Sequence, residues 1–214
     1  MFLEGINIIL KIWSTEAPYK IKGDYWDVTT ENTLIEDIGQ GYMTKPFQKP
    51  HPPIIVTAVA PYSKGISEAA ARGWKPISAD IIMPIWVKTH WEKYVEGCKK
   101  GKLIPSKDDW RIAKTVFVAE DLKKAKEYAL GPNSPYVFYF KQLFKKFVAL
   151  GKLELFKSSK NQPDSEITLE KVCEELIIWG TPEKVFDDIS SFRDKVGDFG
   201  TLMYAGVDWL DPCL

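Results

Sequence analysis

Four short apolar runs, Ile54 to Ala58, Trp74 to Ala79, Trp110 to Ala119 and Phe199 to Ala205, alternate along the chain with stretches whose apolar residues recur at helical spacing. This alternation limits the fold more than any other feature. Strands separated by helices pair in the same direction with right-handed crossovers, which gives an α/β protein built on a parallel sheet. The run Ile54-Ile-Val-Thr-Ala58 is mostly β-branched and apolar, the pattern expected of a strand buried on both faces. Four strands cannot close a barrel alone. The count fits about four β/α units of a (β/α)8 barrel, or an open sheet with helices on both faces.

Local signals place the other elements. Ile6, Ile9, Leu10 and Trp13 stand at offsets of three and four, so the chain starts helical. From Gly23 to about Pro46 the sequence reads as irregular or as a short hairpin. Between Pro46 and Pro53 each proline fixes its own φ and pushes its predecessor toward extended geometry, a stiff lead-in to the first long run. Ala60-Pro-Tyr-Ser63 then turns the chain into a helix carrying Ile66, Ala69 and Ala70 and ended by Gly73. Val87, Trp91, Tyr94, Val95 and Cys98 form the stripe of a helix from Trp86 to Cys98, and another helix begins near Asp121. An aromatic amphipathic helix is expected from Pro135 to Leu155. Its Tyr136, Phe138, Tyr139, Phe140, Phe144 and Phe147 read as core or an oligomer contact, with a lid over a ligand as the alternative. A polar surface loop, Lys157 to Glu166, follows. Thr168 caps the next helix, with Ile167 placed to staple against Val172. Thr181 caps another, with Pro182 at its first position and Gly197 at its end.

Charge and cysteine content exclude several classes of function. Lys plus Arg and Asp plus Glu number 29 each, so no overall field draws in nucleic acid, and no run approaches the roughly 18 apolar residues of a membrane span. Cys98, Cys173 and Cys213 are odd in number and widely spaced, as free thiols of a cytoplasmic protein would be. The sequence holds no P-loop, nucleophile elbow or Gly-x-Gly-x-x-Gly. Its two histidines lie far apart without accompanying ligands, so no metal site is expected. His51 reads as fixing its proline-rich loop by hydrogen bonding, and His90, beside Trp91 and away from any strand end, as a surface residue.

Five segments occur in order: Pro46-Phe-Gln-Lys-Pro-His-Pro-Pro-Ile-Ile-Val-Thr-Ala58, Glu68-Ala-Ala-Ala-Arg-Gly-Trp-Lys-Pro-Ile-Ser78, Asp109-Trp-Arg-Ile-Ala-Lys-Thr-Val-Phe-Val-Ala119, Trp179-Gly-Thr-Pro-Glu-Lys-Val185, and Phe199 to Trp209. Together they resemble the bacterial-luciferase-like flavin-dependent monooxygenase family, the limonene-monooxygenase-like branch above all. The resemblance implies that residues 1–214 form a single partial domain: the second half of a TIM-type (β/α)8 barrel, with a helical insertion before the last strand, lacking the family's N-terminal strands and C-terminal helix. It further implies a monooxygenase component that uses reduced FMN, supplied by a separate flavin reductase, and O2 to oxygenate a small apolar organic substrate. A reductase using F420 is a close variant.

In that family the turn after the first of these strands is commonly serine-rich and contacts the flavin phosphate. Carried over, the cofactor-binding residues are Ala58, Val59, Ala60 and Ser63, with Ser78 at the end of the next strand. Ala60 stands where a serine is often found. Backbone N–H groups at a helix start and a serine hydroxyl suit a phosphate monoester, although Ser63 acting only as a helix cap is the alternative. The resemblance assigns no catalytic residue. A second reading is a non-catalytic remnant, or a half-barrel subunit completed by a complementary N-terminal chain. Exposed barrel edges would then make the protein an oligomer.

Overall fold

The chain divides into two compact units, Met1–Pro53 and Ile54–Leu214, and the computed structural model describes residues 1–206. In the first unit, helix α1 (Phe2–Ser14) packs Ile8 and Ile12 against the buried Tyr19 and against Ile21 and Val28. The latter two lie on a small antiparallel ladder, β1 (Lys20–Lys22) and β2 (Asp27–Thr29), so the stretch from Gly23 to about Pro46 opens as a short hairpin and is then irregular apart from a 3-10 turn, Glu36–Ile38. Glu4 holds the turn by accepting the backbone N–H groups of Tyr25 and Trp26, each at 3.0 Å. The Lys45 ammonium donates to the carbonyl oxygens of Ile12, at 2.7 Å, and Thr15, supplying partners that the end of α1 leaves open.

The second unit carries the parallel sheet. Its strands are β3 (Ile55–Ala58), β4 (Lys75–Ser78), β5 (Arg111–Val118), β6 (Ile177–Gly180) and β7 (Thr201–Tyr204). Five are present where four are expected. The order is β3-β4-β5-β6, with β7 also on β5, and every pairing is parallel. The long strand β5 is the hub: Arg111 to Lys114 pair with β7, and Thr115 to Val118 with β6. No barrel is closed among the described residues. Between the strands run α2 (Lys64–Ala70), α3 (Pro84–Lys100), α4 (Leu122–Leu130), α5 (Pro135–Ala149), α6 (Leu169–Leu176) and α7 (Pro182–Val196).

The register separates two faces. Ala58, Ser78 and Ile112 are partners in turn and are all buried, and Ala58 and Ile112 join apolar clusters with helical residues. Ile55 and Thr57 lie on the other face of β3 and are exposed, Ile55 at 44%. The expectation of a strand buried on both faces is therefore wrong for β3. A β-branched run reads the same whether one face is covered or two, and β3 is an edge strand with helices on one side only.

Other departures have local causes. The expected helix from Pro135 to Leu155 stops at Ala149, because Gly151 turns the chain at φ +64° and a 3-10 turn, Leu153–Phe156, then buries Leu155 and Phe156. The extra strand β6 starts directly where α6 ends, with Ile177 extended at φ −94°, ψ 119°. The caps expected at Thr168 and Thr181 are in place, accepting the N–H groups of Lys171 and Lys184, and Gly197 ends α7 at φ +91°. The last strand is shorter than expected. Trp209, Asp211 and Cys213 lie outside the described residues, and Cys98 and Cys173 are buried free thiols.

Candidate functional site

The residues expected to hold a cofactor come together where β3 and β4 end. Ala58 is the register partner of Ser78, and the Ala79 N–H continues the ladder onto the Ala58 carbonyl at 3.0 Å. Val59 and Ala60 follow β3, and Ser63 stands at the N-cap, just before α2. The Ser63 side chain makes no capping bond, so its hydroxyl is not occupied by the role that the alternative reading gave it.

One buried chain of hydrogen bonds fixes this corner. The Trp110 indole N–H donates to Ser78 Oγ at 3.1 Å, Ser78 Oγ lies 2.8 Å from His90 Nδ1, and His90 Nε2 lies 3.0 Å from the Ala60 carbonyl oxygen. A carbonyl only accepts, so Nε2 carries the proton and Nδ1 accepts from the serine hydroxyl. Each member of the chain is satisfied by a neutral imidazole. Burial pushes the His90 imidazolium down to about 4 from its ordinary 6.5, against a smaller opposing effect of the Ala60 carbonyl.

His90 is thus completely buried, which corrects its reading as a surface residue. It lies three residues after Val87 and four before Tyr94, both on the buried stripe, so helical spacing carried the signal. Next to it, Thr89 Oγ1 accepts the Tyr62 N–H at 2.9 Å and donates to the Trp86 carbonyl at 2.6 Å. Tyr62 has φ +51°, a left-handed conformation that disfavours a bulky residue by about 1 to 3 kcal/mol. Thr89 and His90, neighbours on α3, therefore hold the turn at Tyr62 and at Ala60.

A second polar group lies at the same end of the sheet. Asp80, two residues beyond β4 and buried, accepts the Thr115 hydroxyl at 3.1 Å, and its charge acts on the Tyr139 hydroxyl of α5. Burial, then the Asp80 charge, raise the Tyr139 phenol to about 12. Sequence reasoning missed Asp80 and Thr115, since no local pattern links positions so far apart. The aromatic helix itself is core: Tyr136 and Phe140 are buried, whereas Phe138 is exposed.

His51 stands as expected, its Nδ1 2.8 Å from the Pro52 carbonyl. Among the described residues no group of three or more His, Cys, Asp or Glu is placed to hold a metal ion, and no helix is long and apolar enough to cross a membrane.

No family model matches the sequence. Over 99% of its length the chain is 26% identical to 3,6-diketocamphane 1,6-monooxygenase of Pseudomonas putida, of which it covers 56%. The solved structure of the oxygenating constituent of that 3,6-diketocamphane monooxygenase, a type II Baeyer–Villiger monooxygenase in complex with FMN, superposes with a TM-score of 0.78 at 24% identity, over 98% of this chain and 57% of that one. An F420-dependent secondary alcohol dehydrogenase, in complex with an F420-acetone adduct, superposes with a TM-score of 0.62 at 19% identity, over 95% of this chain and 55% of the other. The chain thus spans little more than half the length of the proteins it matches. Sequence and fold thus agree in what the chain is similar to, the oxygenating constituent of 3,6-diketocamphane monooxygenase, in keeping with its resemblance to luciferase-like, flavin-dependent monooxygenases.

Proposed function

We propose that this chain is the flavin-phosphate-binding half of an FMN-dependent monooxygenase barrel, acting on a small apolar organic substrate with O2 and taking reduced FMN from a separate reductase. The observation that carries the reading is the β3–α2 turn, clamped from α3 at Ala60 and Tyr62 while Ser63 keeps its hydroxyl free of any capping bond. A phosphate monoester needs N–H and O–H donors on a fixed frame. The Ser63 hydroxyl and the N–H groups that open α2 are such donors, and Lys64 adds an exposed cation beside them. Ala60 contributes a backbone N–H but no hydroxyl, so this phosphate seat is leaner than a serine-rich one.

Bound and reduced, FMN supplies the oxygen chemistry; the protein supplies position and a dry pocket. His90 is a positioning residue that sets the Ala60 peptide through its Nε2–H. Asp80 and Thr115 tie the segment after β4 to the middle of β5. F420, which shares a phosphate-bearing tail with FMN, is the variant supported by the likeness to the F420-dependent dehydrogenase. The test is a flavin fluorescence titration of the purified whole chain. Saturable quenching of FMN is expected, and its absence would remove independent flavin binding while leaving the ancestry in place.

A second reading has its own support. Ile55, Thr57, Thr201 and Met203 stand on one face of the sheet by register and are exposed, Met203 at 46%. Such a face calls for cover. On this reading the chain is a half-barrel, catalytically silent until complementary strands, or a second copy, lie against it.

A further inference from the structure

Lys114 sits in the middle of β5 and is only 1% exposed, yet it is not part of the cofactor corner. It lines a pocket of about 340 Å³ together with the aromatic rings of Trp179 and Phe192. Its Nζ lies 4.6 Å from the centre of the Phe192 ring. Among the described residues it has no ion pair: Asp80 and Glu175 act on it only from beyond contact. A buried ammonium without a counter-ion is costly by several kcal/mol, and burial accordingly lowers Lys114 to about 8.

The rest of the lining decides the sign and size of what would fit. Lys184 is already engaged, with Asp188 at 2.6 Å and the Trp179 carbonyl at 2.9 Å. The lining carries four lysines, Lys114, Lys126, Lys184 and Lys195, against three carboxylates, Glu174, Glu175 and Asp188, and of these lysines Lys114 is the buried one. Ile177, Ile178 and Leu130 add apolar wall. One inner cation with apolar and aromatic sides disfavours a phosphate dianion, which needs several donors. Such a lining suits a monoanion with an apolar body.

We propose that this pocket binds a small apolar carboxylic acid as its carboxylate, with the carboxylate on the Lys114 ammonium and the apolar body between Trp179 and Phe192. The site is separate from the β3–α2 turn, and its test needs no flavin. Benzoate is titrated into the whole chain by calorimetry, with inorganic phosphate and benzyl alcohol in parallel, on wild type and on Lys114→Met and Lys114→Gln. One benzoate per chain is expected, at least tenfold weaker in both variants, with phosphate and benzyl alcohol at least tenfold weaker than benzoate on wild type. Urea unfolding of Lys114→Met should show no loss of stability, since the substitution removes an unpaired buried charge. Failure of benzoate to bind wild type, benzoate binding to either variant as tightly as to wild type, or phosphate or benzyl alcohol binding wild type as tightly as benzoate would each overturn the proposal.

Discussion

His90 is the residue on which the cofactor corner depends. Replacing it with Gln keeps a neutral polar side chain but cannot restore both ring contacts, so the buried Ser78 hydroxyl or the Ala60 carbonyl loses its partner, at a cost of about 1 to 3 kcal/mol. The pH dependence distinguishes this role from packing. Folded His90 stays neutral down to about 4, whereas the unfolded side chain takes a proton near 6.5. Between those values the unfolded state binds more protons, so stability falls as pH falls, by up to roughly 3 kcal/mol in total. Urea midpoints of wild type and His90→Gln from pH 7 to 4 should therefore converge as the pH drops. A gap that stays constant would refute the assigned state of His90. The residue was legible in the sequence only in part: its spacing from Val87 and Tyr94 marks a buried face, but nothing local says that a serine 12 residues upstream waits for it.

At the scale of elements, the corner exists because α2 and α3 approach closely. A Cβ on Gly97 of α3 would collide with the Ser67 carbonyl oxygen and with Ala70 of α2. Gly97→Ala should thus cost about 1 to 3 kcal/mol, whereas Gly5→Ala in α1, where a Cβ meets nothing within 4 Å, should be neutral or stabilising. Thermal or urea unfolding of both variants checks the contrast. Elements governed by their own residues were readable in advance. Thr168, Thr181 and Gly197 bound helices by capping and by positive φ, which are local physics. β6 was not readable, because Ile177-Ile178-Trp179 continues the apolar pattern of α6 without a break, and pairing with Thr115 to Val118 makes it a strand. Likewise an exposed face of β3 cannot be told from a buried one when Ile and Val occupy both.

For the molecule as a whole, an α/β fold with a parallel sheet was legible from the alternation of runs, and the likeness to flavin-dependent monooxygenases from five ordered segments. How many strands surround β5, and what covers the open face, depend on contacts between distant segments. That open face has a measurable consequence. With Ile55 and Met203 exposed beside unpaired strand edges, the purified chain should associate, and light scattering should report a mass above that of one chain. A stable monomer at micromolar concentration would contradict the half-barrel reading. On the function proposed above, the turn from Val59 to Ser63 seats a flavin phosphate. The most direct measurement titrates FMN and riboflavin in parallel into wild type and Ser63→Ala. FMN is expected to bind at least tenfold more tightly than riboflavin, and Ser63→Ala to remove about tenfold from FMN alone, the equivalent of one hydrogen bond to a charged group. Equal affinity for the two flavins, or FMN binding that is indifferent to Ser63, would contradict it.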